Sequence, residues 1–282
     1  MKPGPPELIA ADLAPGDAAA CALDWSPLRV EPIRAADHPL FVPVYRRLWK
    51  EFGDRGEMET ERVIAARLAW DPARPIGPHA FRYEMLAVLR GEEIVAVRDH
   101  TVIVAPPRAA SPPPVIVHLS HLIVEPPLRG SGLSAWLRAF PIQTARECAA
   151  LAGACGAAIT LVAEMEHPDG TTPAVMARLR SYERAGFAKI DPVALPYCQP
   201  DFRPPAAIEA TGVRPIPLAL LVRRVGREAE PHISGGEVRE IVAALYAMFA
   251  VHVRADHMAP LWALLERAPA PGDAVALQRP RQ

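Results

Sequence analysis

The chain has 282 residues, half of them apolar, and 31 Lys+Arg against 32 Asp+Glu leave a formal net charge of −1. That is material for one large core or two modest ones, and no block of basic residues interleaved with aromatics points to nucleic acid as a partner. No window approaches the ~18 apolar residues of a membrane span, and the start "MKPGPPELIAADLAPGDAAA" lacks the apolar core of a secretion signal, so a cytoplasmic protein with no membrane partner is expected.

Residues 1–26, rich in Pro, Ala and Gly, predict a flexible leader or an arm lying over the domain. "PLRVEPI" opens the structure as a strand that Pro32 confines to an edge or an end. Two helices follow, "FVPVYRRLWKEFG" and "ETERVIAARLAW", the first ended by Gly53 and the second by Asp71-Pro72. "YEMLAVLRGEEIVAVRDHTVIVA" predicts a hairpin turning at Arg90-Gly91-Glu92, and "VIVHLSHLIVEP" a further strand after the loop "APPRAASPPP". A helix from about Gly132 to Leu151, kinked at Pro141, leads to the strand "AAITLVAEME" and the helix "TPAVMARLRSYERAG". "GFAKI" and "PLALLVRRV" add two strands around a Pro-rich insert, and the segment from 231 predicts helices with a break near Ala255-Asp256. The expected fold is α/β of the mixed α+β kind, a central mixed twisted sheet of six to seven strands flanked by helices. Its expected parts are a domain over 27–230, a C-terminal helical extension over 231–270 and a flexible tail over 271–282.

Cys21, Cys148, Cys155 and Cys198 show neither C-x-x-C spacing nor a framework shared with histidines, so neither zinc nor a disulfide scaffold is expected. The informative junction is "VEPPLRGSGLSAWL", residues 124–137, where a strand meets a helix through two glycines. Glycines there let the backbone turn sharply and let amides at the helix start point at an anion, with Arg129 adding charge at the rim. A bare strand-to-helix turn would need glycine as well. A dinucleotide fold wants an acidic residue ~20 positions on, and Glu164 and Glu166 come too late. No Gly-Lys-Ser/Thr of a P-loop is present.

With Val124-Glu125-Pro126 before it and "YERAGF" after it, this junction resembles the GNAT superfamily of N-acetyltransferases. The family's R/Q-x-x-G-x-G/A signature reads here Arg129-Gly130-Ser131-Gly132-Leu133-Ser134, with serine in the last place, and the resemblance covers about residues 28–226. It implies the GNAT fold and acetyl-CoA as co-substrate, with no metal. It also implies that the amides from Arg129 to Ser134, including those of Gly130, Ser131, Gly132 and Leu133, hold the pyrophosphate. Val124 would bond the pantetheine arm. The Leu122 amide would polarise the thioester carbonyl and stabilise the charge of the tetrahedral intermediate. Tyr182 would protonate the departing thiolate, a phenol being protonated at neutral pH; its plain alternative is a helix-end aromatic packed on the sheet.

An amine acceptor must also lose a proton. His118, counted back from Val124-Glu125-Pro126, falls where family members place a base, and Ser120 shares its face by two-residue alternation. His121 should point the other way unless a bulge shifts the register. Glu164 is the second candidate base, and Asp99, in "VRDHT", a further one, or with Arg98 and His100 a substrate-binding cluster or a polar strand end. Tyr197, Gln199 and Arg203 in the insert "LPYCQPDFRPP" are candidate acceptor-pocket residues, or parts of a Pro-stiffened loop. The acceptor, a small-molecule or protein amine, is not written in these motifs. A longer acyl donor, or a non-catalytic acyl-CoA sensor of the same fold, is the alternative function. The apolar face Val238, Ile241, Val242, Leu245, Phe249 and Val253 must be covered, by the chain itself or in a homodimer through the C-terminal helices.

Overall fold

The computed structural model of the chain describes residues 12–106, 113–168 and 171–282. Residues 1–11 of the leader and 107–112 of the Pro-rich loop lie outside them. The chain divides into two compact units, Met1–Ile159 and Thr160–Gln282.

In the first unit β1 (Leu28–Ile33), β2 (Ala80–Arg90), β3 (Glu93–Val104) and β4 (Val115–Val124) form an antiparallel meander. Pro32 sits in β1, opposite Leu86 of β2, where a residue without an N–H is tolerated. Strand alternation sorts the side chains. Tyr83, Met85, Ala87, Leu89 and Val97 face one layer, made by α1 (Phe41–Phe52) and α2 (Glu61–Leu68). The spacing of Phe41, Val44, Tyr45 and Leu48 gives α1 the single apolar stripe that fits there. Leu86, Val88 and Ala96 face the other layer, where α3 (Leu133–Leu151) packs through Leu133, Trp136, Leu137 and Phe140. Pro141 lies inside α3 without ending it.

Of the two readings the sequence left open, the described part of the leader takes the arm lying over the domain. From Asp12 it is packed, with Leu13 and Ala20 in the α3 core and a 3-10 helix over Pro15–Ala22. The Trp136 indole donates to the Ala20 carbonyl at 2.9 Å, and Arg138 pairs with Asp17 and Arg146 with Asp12. These long-range partners are what a local reading of Pro-Ala-Gly composition leaves out.

In the second unit β5 (Ile159–Met165) is followed by α4 (Pro173–Arg184) and β6 (Ala188–Ile190). The insert holds β7 (Cys198–Gln199), α5 (Pro205–Thr211) and β8 (Ile216–Pro217), with β7 and β8 forming a short ribbon. Next come β9 (Ala219–Arg224), β10 (His232–Ser234), α6 (Gly235–Ala250), α7 (Ala255–Glu266) and β11 (Ala274–Gln278). The sheet order is β5-β9-β6-β11-β10, every pair antiparallel.

The C-terminal segment is therefore not a helical appendage with a flexible tail. It supplies two strands, and β11 pairs with β6 through Leu277↔Ile190. These short strands raise the strand count above the six to seven expected; each is too brief to show a period in the sequence. The Ser234 hydroxyl accepts from the Glu237 amide at 3.1 Å, capping α6 in the Ser-x-x-Glu pattern. Val238, Ile241, Val242, Leu245 and Phe249 are all 0–1% exposed. These five residues of the apolar face are covered by the chain itself, while Val253, the sixth, is half-buried.

Candidate active site

β3 and β4 pair evenly from Ala96↔Val124 to Arg98↔Leu122 and resume at His100↔Leu119. Asp99 alone thus faces both Ser120 and His121, a β-bulge that re-aims the side chains around it. The Glu125 amide donates to the Val95 carbonyl at 3.0 Å. Bonded positions alternate along an antiparallel ladder, so Ile123 turns its main chain toward β3, while Leu122 and Val124 turn theirs away. The Val124 carbonyl accepts from Arg129 Nε at 3.0 Å, so the rim arginine is tied to the strand end.

After β4 the chain turns through Gly130 at φ 79° and Gly132 at φ 92°, values that favour glycine, and α3 begins at Leu133. Not every amide of the turn is open to a ligand. Arg129 N donates to the Pro126 carbonyl, Ser131 N to Leu128, and Leu133 N to Ser131 Oγ. Among the described residues, the amides of Gly130, Gly132 and Ser134 donate to nothing. The turn thus offers three undonated amides, at and just before the head of a 19-residue helix, rather than a continuous run. The two glycines also differ. A Cβ on Gly130 would meet nothing within 4 Å, whereas one on Gly132 would stand 2.9 Å from both Cα and Cβ of Ala20.

The bulge builds a buried polar group on the opposite face of the sheet from α3. His121 Nδ1 lies 3.0 and 3.1 Å from the two Asp99 oxygens, and its Nε2 lies 3.1 Å from the Glu57 carbonyl. Asp99 also accepts from Tyr83 Oη at 2.8 Å and from the His121 amide at 2.8 Å. The Phe52 ring packs on the imidazole at 4.6 Å between centroids. Burial by itself would lower the His121 pKa, but the charge and hydrogen bond of Asp99 outweigh it and hold it at about 8. Burial would likewise raise Asp99, yet the His121 charge and the three donors bring it down to about 2. Asp99 is 1% exposed and fully engaged, which removes it from the surface of any acceptor pocket.

His118, also buried, has Nδ1 3.2 Å from Ser120 Oγ, so these two do share a face. His100 is 0% exposed, 3.9 Å from Glu84. Burial first, then the Arg98 charge, pushes its pKa down to about 3. It is a neutral core histidine.

In the second unit Tyr197 donates to Glu164 Oε1 at 2.6 Å and stacks on Tyr246. Tyr197 is 3% exposed, its aromatic body buried by α6, and Gln199 lies buried in β7 opposite Ile216. Tyr197 lies in the stretch just before β7 and Gln199 within it, both with their side chains buried. Arg203 forks onto Asp201 and reaches the Gly212 carbonyl, closing the insert on itself. Glu166 pairs with Arg178 of α4. Tyr182, half-buried in the last turn of α4, meets Phe187 edge-on at 5.0 Å. Sequence reasoning named Asp99 and His121 separately, with a bulge as the condition for re-aiming His121; what it did not foresee is that the bulge pairs the two.

No protein-family model matches the chain, and no curated protein matches it. Several solved structures do. An aminoglycoside acetyltransferase from an uncultured soil metagenomic sample, in complex with sisomicin, is 15% identical over 55% of this chain and 86% of its own, with a TM-score of 0.34. A tandem GNAT protein from the clavulanic acid biosynthesis pathway is 18% identical over 61% of this chain and 46% of its own, TM-score 0.36. NAA60 of Arabidopsis thaliana, in complex with acetyl-CoA, is 13% identical over 70% of this chain and 99% of its own, TM-score 0.37.

Proposed function

We propose that the chain is an acetyl-CoA-dependent N-acetyltransferase of the GNAT type, moving an acetyl group to an amine of a small molecule or a protein by direct attack in a ternary complex. The observation that carries this reading is the set of amides of Gly130, Gly132 and Ser134 at the head of α3 that donate to nothing among the described residues. Amide donors at the positive end of a long helix suit phosphate oxygens, and the strand that leads into them turns the main chain of Leu122 and Val124 away from β3. In this reading those amides hold the pyrophosphate of acetyl-CoA. Leu122 N–H offers a fixed donor to the thioester oxygen, where negative charge grows as the amine attacks. Tyr182 supplies the proton that the leaving thiolate takes up. No step calls for a metal.

The test is acetyl-CoA affinity by calorimetry, followed by thiol release across a panel of amines. Gly130→Asp places a carboxylate beside the three amides, where a side chain has room and aspartate tolerates the left-handed backbone better than most residues. It is expected to weaken acetyl-CoA binding by at least about tenfold while the thermal transition stays cooperative. Unchanged affinity removes the cradle assignment. Binding without turnover on any amine favours a non-catalytic acyl-CoA sensor, and turnover only with longer thioesters favours a different acyl donor.

A further inference from the structure

We propose that His121 is the group that takes the proton from the acceptor amine, that Asp99 positions it, and that the main-chain carbonyl of Glu57 keeps its outer nitrogen out of use until the connection between α1 and α2 shifts. The inference rests on the acetyl-transfer reading above and names a residue and a control for it.

The geometry is unusual in one respect. Both ring nitrogens of His121 face acceptors, the Asp99 carboxylate at 3.0 Å and the Glu57 carbonyl at 3.1 Å. An acceptor can be satisfied only by an N–H, so a ring that makes both contacts carries a proton on each nitrogen. The surroundings support that charge. Asp99 comes from β3, Tyr83 from β2 donates to it, and Glu59, salt-bridged to Arg67 of α2, adds a further negative charge. Burial, and then the Asp99 charge, raise the Tyr83 phenol well above its usual range, so it stays a donor to Asp99. The fourth side of the ring is apolar Phe52 of α1.

Withdrawing the Glu57 carbonyl changes the balance. The Nδ1–H bond to Asp99 remains, while the Nε2 proton, no longer held by the carbonyl, passes to solvent and leaves the tautomer whose free lone pair is on Nε2. Glu57 lies in the non-helical stretch between Arg55 and Glu61, so a shift there leaves α1, α2 and the strand ladder intact, but it gives up the Glu57 amide bond to the Phe52 carbonyl at 3.2 Å and pulls on Met58, which is 0% exposed. An ammonium arriving in its place loses one proton: its N–H bond breaks and an Nε2–H bond forms. The freed amine then makes the C–N bond to the acetyl carbon as the C–S bond breaks. The second proton lost by the amine nitrogen is matched by the one the thiolate takes up, and the imidazolium returns its proton to solvent.

Two readouts on the full chain test this. In 15N-labelled wild type at pH 7 the His121 ring is expected to show two protonated nitrogens, and Asp99→Asn to lower its titration midpoint. A neutral His121 ring at pH 7 overturns the locked arrangement without reference to any activity. With an amine that is acetylated, His121→Gln is expected to cut kcat/KM by roughly 10²–10⁴-fold with acetyl-CoA affinity within about twofold. Asp99→Asn should shift the acidic limb of the pH–kcat/KM profile to lower pH. A His121→Gln chain that keeps wild-type kcat/KM and that limb overturns the inference alone. A wild-type chain that neither binds acetyl-CoA nor acetylates any amine overturns the functional reading, and the role of His121 falls with it.

Discussion

The two glycines of the turn give a sharp contrast when each is replaced by alanine. Gly130→Ala meets nothing within 4 Å, so its cost is that of holding an L-residue at φ 79°, roughly 1–2 kcal/mol. Gly132→Ala carries the same backbone cost at φ 92° and also drives its Cβ to 2.9 Å from Ala20 Cα, a main-chain atom that cannot rotate aside. Overpacking of that kind adds about 1–3 kcal/mol. At about 2–4 °C per kcal/mol for a unit of this size, Gly130→Ala should lower Tm by about 2–8 °C and Gly132→Ala by roughly twice as much. Thermal melts followed by far-UV circular dichroism measure the difference. Near-UV spectra report whether the edge-on contact of Trp25 and Trp136, whose indole is bonded to Ala20, is lost as well. Equal losses in the two variants would show that the leader does not press on Gly132, and the packed placement of 12–22 would be wrong there.

Stability should peak near pH 6.5 and fall on both sides, because two buried histidines are perturbed in opposite directions. His121 has its folded pKa raised from 6.5 to about 8, so its contribution is complete below 6.5 and lost as pH rises through 8, about 2 kcal/mol in all. His100 has its folded pKa lowered to about 3, so the unfolded chain binds the extra proton and stability declines as pH falls below 6.5, at up to about 1.4 kcal/mol per unit. Asp99, lowered to about 2, adds to that loss only below its ordinary value of 3.8. Urea titrations at pH 5, 6.5 and 8.5 check the shape; a stability unchanged between 6.5 and 8.5 contradicts the charged His121. Tyr182→Phe should lower turnover with acetyl-CoA affinity within about twofold, and a variant with full turnover takes Tyr182 out of the proton step.

The long elements were legible because each carries its own period. The α1 stripe, the hairpin around Gly91 and the order of strand, two helices, three strands and a helix all follow from spacing within a dozen residues. What was not legible depends on partners far away in sequence. Ala20 finds Gly132 and Trp136 across the unit, and β11 finds β6, yet nothing in "APGDAAACA" or "AVALQ" announces either contact. The site divides the same way. Glycines and the helix head were readable because they are contiguous. The face that His121 takes was not, because it turns on where β4 gains one residue over β3, a property of the pair of strands.

That division changes the weight of the glycine motif itself. Gly132 is required by the chain whether or not a ligand binds, since Ala20 already fills the space where its side chain would be. A glycine at that position is therefore poor support for a phosphate site. Gly130, with open space around it, and the N–H groups of Gly130, Gly132 and Ser134, which donate to nothing among the described residues, are the better support, because such donors at a helix head attract an anion. Substitutions at Gly132 report mainly on the packing of the leader, and substitutions at Gly130 on the ligand. Only the second can decide whether acetyl-CoA binds at this turn.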